Sequence, residues 1–307
     1  MGLNLQVLGM QSIPRLAEKL EVPVEFPAHV FSKTVRMKDF QKYLEECGKI
    51  LSEFSEEYGI SWWDVYNLSD IGSERMAVAQ EIQLDENDEV LDVGCGRGYF
   101  TIAAAKLCKS IVGADLMNGL GRHGWWKNFS ESIRELNLTD KVLSVKSDAG
   151  RLPFKSFSFS VSATVHAIRN FQNSSSIKAA IKEMKRVVVK GGSVVVVESL
   201  PVARTKAQEA HLKMFRCKVK YTSGELDFMS KDEIVDMFQR IGFKEIKVKE
   251  LNYNWSAAPP LFWIDRYLPF LPEGEREEAR EAWNEAMKMV IRWGEVSPPA
   301  LLVKATK

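Results

Sequence analysis

One run of residues constrains this chain more than any other: Val90-Leu91-Asp92-Val93-Gly94-Cys95-Gly96-Arg97-Gly98-Tyr99-Phe100. Residues 89–93 read as a short buried strand and residues 101–109 as an alanine-rich helix, with a glycine at every second position between them. A strand that turns at once into a helix through glycines lets a ligand approach bare backbone and presents the helix N-terminus to it. That is the layout of a nucleotide-type site. The spacing is G-x-G-x-G, and Tyr99 stands where a dinucleotide fingerprint has its third glycine, so NAD is not expected. A tight turn needs glycine for steric reasons too, so the loop alone does not name its ligand.

Further segments follow in order. Residues 110–115 read as a second strand ending in Asp115, spaced from the glycine turn as a ribose-binding acid is. Residues 142–149 read as a third strand that carries Asp148-Ala149 and runs on into Gly150-Arg151-Leu152-Pro153-Phe154. Residues 159–166 read as a fourth, ending in His166 and followed by Ala167-Ile168-Arg169-Asn170-Phe171. The set V-L-D-V-G-C-G-x-G, A-D-L, D-A-x-x-L-P-F and a strand before R-N-F resembles the class I S-adenosylmethionine (SAM) methyltransferases over residues 73–201. The R-N-F fragment is similar to the ubiquinone/menaquinone-biosynthesis branch.

The resemblance implies an α/β fold: a seven-stranded Rossmann-like sheet with an N-terminal helical extension and a helical insertion before the last strand. The expected boundaries are 1–72 for the extension, 73–254 for the SAM-binding core with a basic helical insertion at about 203–221, 255–298 for the second insertion and 299–307 for the last strand. It implies SAM as the cofactor. Asp92 and the amides around Gly94, Cys95, Gly96 and Gly98 would hold the methionine end, Asp115 with Leu116 the ribose, and Asp148 with Ala149 the adenine. Residues 164–171, beginning with Thr164, would face the transferred methyl. His166 is the candidate general base or orienting group, because its pKa lies near neutrality, and Asn170 is the next candidate. Aligning a nucleophile with an activated methyl demands neither a metal nor a covalent nucleophile.

The rest of the chain adds context. Its 307 residues are 45% hydrophobic and 27% charged, which suits a globular protein of one large domain with additions, or two domains. A formal net charge of +1 announces no global field for nucleic acid, so any basic surface must be local. Cys47, Cys95, Cys108 and Cys217 are widely spaced with no C-x-x-C pair, so no zinc site or disulfide framework is expected and a reducing compartment is the default. With no leader-like segment and no bilayer-length apolar run, the expectation is a cytoplasmic protein. Residues 37–58 show helical periodicity through Phe40, Tyr43, Leu44, Cys47, Ile50, Leu51 and Phe54, whereas residues 5–20 are apolar at mixed spacing and interrupted by Pro14.

The acceptor is read from two basic segments and one aromatic one. The stretch 117–127 holds Arg122, Trp125 and Trp126, a combination able to grip phosphate and stack on bases. The helix expected over 203–221 carries Lys213, Arg216, Lys218 and Lys220 among six basic residues against one acid, Glu209. These point to RNA as a partner, and the leading expectation is an RNA base N-methyltransferase, with an exocyclic amino group of ribosomal RNA as its finer form. The absence of a D/N/S-P-P-Y sequence stands against the usual exocyclic-amine route, and the lack of a Pro-Cys or Thr-Cys pair argues against covalent C5-pyrimidine methylation. The alternative is a small-molecule methyltransferase acting on a lipophilic or ring substrate, which the aromatic–proline stretch 258–272 and the R-N-F fragment favour. A SAM-binding module without catalysis ranks last.

Overall fold

In the computed structural model, which describes residues 3–23, 37–116, 125–171, 173–222, 227–253 and 268–307, the apolar runs pair into one sheet. Its strands are β1 (Glu89–Val93), β2 (Ser110–Asp115), β3 (Val142–Lys146), β4 (Phe159–Val165), β5 (Val188–Ser199), β6 (Lys244–Leu251) and β7 (Ala300–Thr306). The order is β3-β2-β1-β4-β5-β7-β6. Strands β1 to β5 run parallel, and β7 is antiparallel to both β5 and β6. The fold is the expected seven-stranded Rossmann-like one.

The chain builds outward from β1 in one direction and then returns to build in the other. The switch point therefore falls between β1 and β4, where open α/β sheets leave a crevice at the carboxyl ends of their strands. Val194 to Val197 are fully buried, as uniformly apolar parallel strands covered on both faces must be. One local surprise sits in β5. The strand begins at Val188 and runs through Gly191-Gly192, residues that weaken a strand interior. Its register against β4 jumps between Phe159 and Val161. A Cβ at Gly192 would stand 2.4 Å from the Ser160 carbonyl oxygen, so the irregular pairing needs a residue without a side chain there.

Two compact units divide the chain. The first comprises Met1–Ser73, Val202–Asp227 and Tyr253–Pro298. It contains α1 (Leu3–Leu20), α2 (Met37–Tyr58), α3 (Trp62–Leu68), the start of α4 (Asp70–Ile82), α8 (Lys206–Thr222) and α10 (Glu273–Trp293). Helix α1 continues through Pro14, which is exposed, and packs its buried Leu8, Ile13 and Leu16 face where α2 and α3 contact it. Helices α8 and α10 pack on each other around Met214, Cys217, Tyr221, Trp283 and Ala286.

The second unit comprises Glu74–Pro201, Phe228–Asn252 and Pro299–Lys307 and holds the whole sheet. It adds α5 (Tyr99–Ala105), α6 (Trp125–Glu135), α7 (Ser174–Val187) and α9 (Lys231–Ile241). Strands β6 and β7 form the antiparallel edge pair, with β6 exposed along most of its length. Its lysines and glutamates suit an edge that must not recruit another strand. Among the described residues no helix is long and apolar enough to cross a membrane.

Candidate functional site

At the carboxyl ends of β1, β2 and β4 lies a cavity of about 480 Å3. Its base is the turn after β1, where Gly94, Gly96 and Gly98 adopt φ of 77°, 52° and 80°. Sterics demand two of these glycines independently of any ligand. A Cβ at Gly94 would stand 2.7 Å from that of Ala167, and one at Gly98 would strike the Phe129 ring of α6 at 2.0 Å. The amides of Gly94 and Cys95 donate to the Ala114 carbonyl at 2.7 and 3.2 Å, which ties the turn to β2. Helix α5 has seven residues, so the turn's own amides, more than a long helix dipole, define this wall.

Asp115 ends β2 and lines the cavity, and its Oδ2 accepts the Gly96 amide at 2.9 Å. Asp92 also lines it but is 1% exposed, and its Oδ2 accepts from Thr101 Oγ1 at 2.6 Å. Burial pushes the Asp92 carboxyl up to about 7, with the Asp115 charge adding to the rise and the Thr101 hydrogen bond and Arg75 opposing it. Burial likewise raises the Cys95 thiol, so it behaves here as a small apolar side chain. On the far wall Asp148 Oδ1 accepts the Gly150 amide at 2.7 Å, closing its own turn. Ser147 Oγ is buried in the lining with no hydrogen-bond partner among the described residues.

His166 follows β4 with a left-handed φ of 52°. Its ring is 7% exposed and lies among charges. Nε2 is 3.0 Å from Glu74 Oε1, and Nδ1 is 3.3 Å from Ser199 Oγ and 3.6 Å from Glu198 Oε1. Glu74 is ion-paired with Arg75, and Arg169 Nη1 lies 3.7 Å from Glu198 Oε1. Burial lowers the imidazole pKa to about 4, Arg75 helping and Glu198 opposing. Burial works against the Glu198 carboxylate, but Arg169 and His166 outweigh it and hold its pKa below the usual value.

The cavity lining thus gathers Asp92, Gly94, Cys95, Gly96, Asp115, Leu116, Asp148, Ala149, His166 and Asn170. Thr164 is not among them. It is fully buried in β4, where strand alternation turns it away from its neighbour Val165, which does line the cavity. Gly98 stands behind the turn against Phe129. Both ring nitrogens of His166 face polar partners, and burial holds its pKa below the ordinary value. Lys213, Arg216, Lys218 and Lys220 lie on α8 in the first unit. Arg122 lies outside the described residues, as do the side chains of Trp125 and Trp126 and residues 258–267 of the aromatic stretch. Sequence reasoning missed Arg75 and Ser147 in the lining and Glu74, Glu198 and Ser199 behind it. One signal was available: Glu198 is a lone charge closing the apolar run of β5.

Residues 91–196 match the family described as a methyltransferase domain. The chain carries a class I SAM-dependent methyltransferase domain. The protein is accordingly an enzyme that uses SAM. The residues present fit that cofactor: a turn with glycine at alternate positions, a carboxylate at the end of the second strand, and a buried hydroxyl on the wall beyond it with no hydrogen-bond partner among the described residues. Demethylmenaquinone methyltransferase of Staphylococcus haemolyticus is 28% identical over 205 residues, covering 60% of this chain and 80% of that protein. Sterol 4-C-methyltransferase strm-1 of Caenorhabditis elegans is 21% identical over 196 residues, covering 61% of this chain and 56% of that protein. A cyclopropane-fatty-acyl-phospholipid synthase-like protein of Lactobacillus casei shares the fold with a TM-score of 0.56 at 15% identity, over 78% of this chain and 91% of that one.

Proposed function

We propose that this methyltransferase acts on a small lipophilic acceptor carrying a ring, not on RNA. The observation that supports it most is the kind of relative the chain matches over about 60% of its length, which are named for a sterol and for demethylmenaquinone. The basic helix offers RNA less than its composition suggests. Lys220 Nζ lies 2.7 Å from Glu278 on α10, Lys206 Nζ 2.8 Å from Glu209, and Arg216 Nε 3.6 Å from Asp227. The charge of Lys213 acts on Glu285, and Lys218 sits over the Phe215 ring at 5.7 Å. The basic run is thus largely engaged within the molecule, with Lys220 and Lys213 facing acids of α10. An RNA acceptor gains no support from the relatives either.

When bound, SAM supplies a methyl group made electrophilic by its sulfonium. The chain's own residues bind and orient. In this reading Asp115 accepts from the ribose hydroxyls, Asp148, Ala149 and Ser147 face the adenine, and Asp92 with the turn amides meets the methionine end. Val165, Phe171 and Phe100 supply apolar lining, and Asn170 offers an amide to orient the acceptor. Holding two reactants in attack geometry removes roughly 7–11 kcal/mol of barrier, so positioning alone carries much of the rate. We retain a cytoplasmic placement as part of the proposal, because all four cysteines are free and buried, as a reducing compartment would leave them.

The test is methyl-labelled SAM offered with a demethylated naphthoquinone, a sterol or total RNA, followed by extraction. Label in the organic phase with one of the lipophilic acceptors supports the proposal. Label in acid-insoluble RNA overturns it.

A further inference from the structure

A cluster of buried charge stands beside the cofactor cavity, and sheet packing does not require it. From α4 come Glu74 and Arg75, from the end of β4 His166, from the turn Ile168–Asn170 Arg169, and from the end of β5 Glu198 and Ser199. The Glu74 and Glu198 side chains are 1% and 0% exposed. Such groups are costly to bury unless each charge is matched and each polar atom satisfied.

Here the charges match in number. Two carboxylates face two guanidiniums, which leaves the imidazole no charge to balance. A neutral ring can serve Glu74 and Ser199 in one tautomer, with Nε2–H donating to Glu74, which can only accept, and the Ser199 hydroxyl donating to Nδ1, which leaves Glu198 to its other partners. The Ser199 amide meanwhile donates to Glu198 Oε1 at 3.0 Å, and the Arg169 guanidinium lies over the Phe228 ring at 5.3 Å. The backbone at His166 is held left-handed, an arrangement that persists only where its surroundings over-determine it. Its amide donates to the Val197 carbonyl at 2.8 Å, which pins it to β5.

Of this cluster's charged members, Arg75 alone is among the residues lining the cavity, in the company of Asp92. Arg75 pairs with Glu74 and also lines the cavity, and a guanidinium's planar fork can meet a second carboxylate; SAM has one anionic group, the carboxylate of its methionine moiety. We propose that His166 is a positioning residue: clasped between Glu74 and Ser199, it holds the Glu74–Arg75 pair so that Arg75 meets the methionine carboxylate of the cofactor. The ring acts through Glu74 on Arg75 and moves no proton. The inference rests on the cofactor reading above, and the experiment separates the two.

Calorimetry on the purified full chain compares S-adenosylhomocysteine, which keeps the methionine carboxylate, with 5′-methylthioadenosine, which lacks it. Wild-type binding of the second ligand reports the nucleoside part of the site, whatever His166 does. Arg75→Ala and His166→Leu should each weaken S-adenosylhomocysteine by about 10- to 100-fold, the worth of a charge-assisted contact, with 5′-methylthioadenosine unchanged. His166→Gln, which keeps a donor and an acceptor, should restore most of the loss. The double variant should be no worse than Arg75→Ala alone, since both act on one contact. A His166→Leu variant that weakens both ligands alike, or neither, overturns the proposal, and so does additivity in the double variant. Should His166→Leu not fold, nitrogen NMR of the wild-type imidazole decides. A ring protonated at Nε2 and bare at Nδ1 through neutral pH supports the clasp, and the opposite tautomer or an imidazolium overturns it.

Discussion

Two buried groups in the second unit carry opposite proton linkages, and replacing either should tilt stability against pH in a known direction. Asp92 titrates near 7 in the fold against 3.8 when free. Its folded pKa is raised, so the stability it contributes is fully present below about 3.8 and is lost as pH rises through about 7. His166 titrates near 4 against 6.5 when free. Its folded pKa is depressed, so its contribution is present above about 6.5 and is lost as pH falls through about 4. Between these limits the folded chain holds a proton on Asp92 and none on His166, whereas the unfolded chain does the reverse. The two slopes therefore cancel in the wild type. Each alone amounts to at most about 1.4 kcal/mol per pH unit, or roughly 3–4 kcal/mol over its window. Asp92→Asn keeps an acceptor for Thr101, and His166→Gln keeps partners for Glu74 and Ser199. Urea unfolding followed by circular dichroism at pH values of about 4.5, 5.5 and 6.5, read with a common slope m, gives the differences from wild type. Asp92→Asn minus wild type should rise with pH, and His166→Gln minus wild type should fall. Differences that stay flat, or that tilt the same way in both variants, would refute the charge assignment.

Other expectations follow from single positions. Asp115→Ala should weaken SAM by about 10- to 100-fold while the protein stays folded, because the carboxylate's hydrogen bonds to the ribose are charge-assisted; calorimetry beside a thermal melt checks both halves. Gly94→Ala should be destabilised by about 1–3 kcal/mol and lose SAM binding, since the new Cβ meets Ala167 on a left-handed backbone; a denaturant titration that matches wild type would contradict it. Replacing Lys213, Arg216, Lys218 and Lys220 together with serine should leave methyl transfer to the lipophilic acceptor and SAM affinity unchanged. Filter binding of the wild type should show no RNA retention with a salt slope of about −0.7 per phosphate contact, and such a slope would reinstate RNA as the partner.

What could be read in the sequence was local or periodic. The glycine turn declares itself because Gly94 and Gly98 answer steric demands set within the first β-α unit and its neighbours, and Asp115 because it ends an apolar strand at a fixed distance from that turn. Helix α2 was legible over its whole length from spacing alone, while α1 was not, since Pro14 breaks the pattern on paper without breaking the helix. The RNA reading lacks support for a related reason. The carboxylate that neutralises Lys220 lies on another helix 58 residues away, so the basic run looks unopposed in one dimension and is paired in three. Glu74 and His166 are 92 residues apart, and neither carries a motif. Its place after the fourth strand made His166 look like a base, because a histidine near a reaction centre has a useful pKa. Its three-dimensional surroundings, two acids matched by two arginines, favour the proposed neutral ring, with one donor and one acceptor at a fixed angle. Roles of that kind depend on charge balance across several elements, and no reading of one segment can supply it.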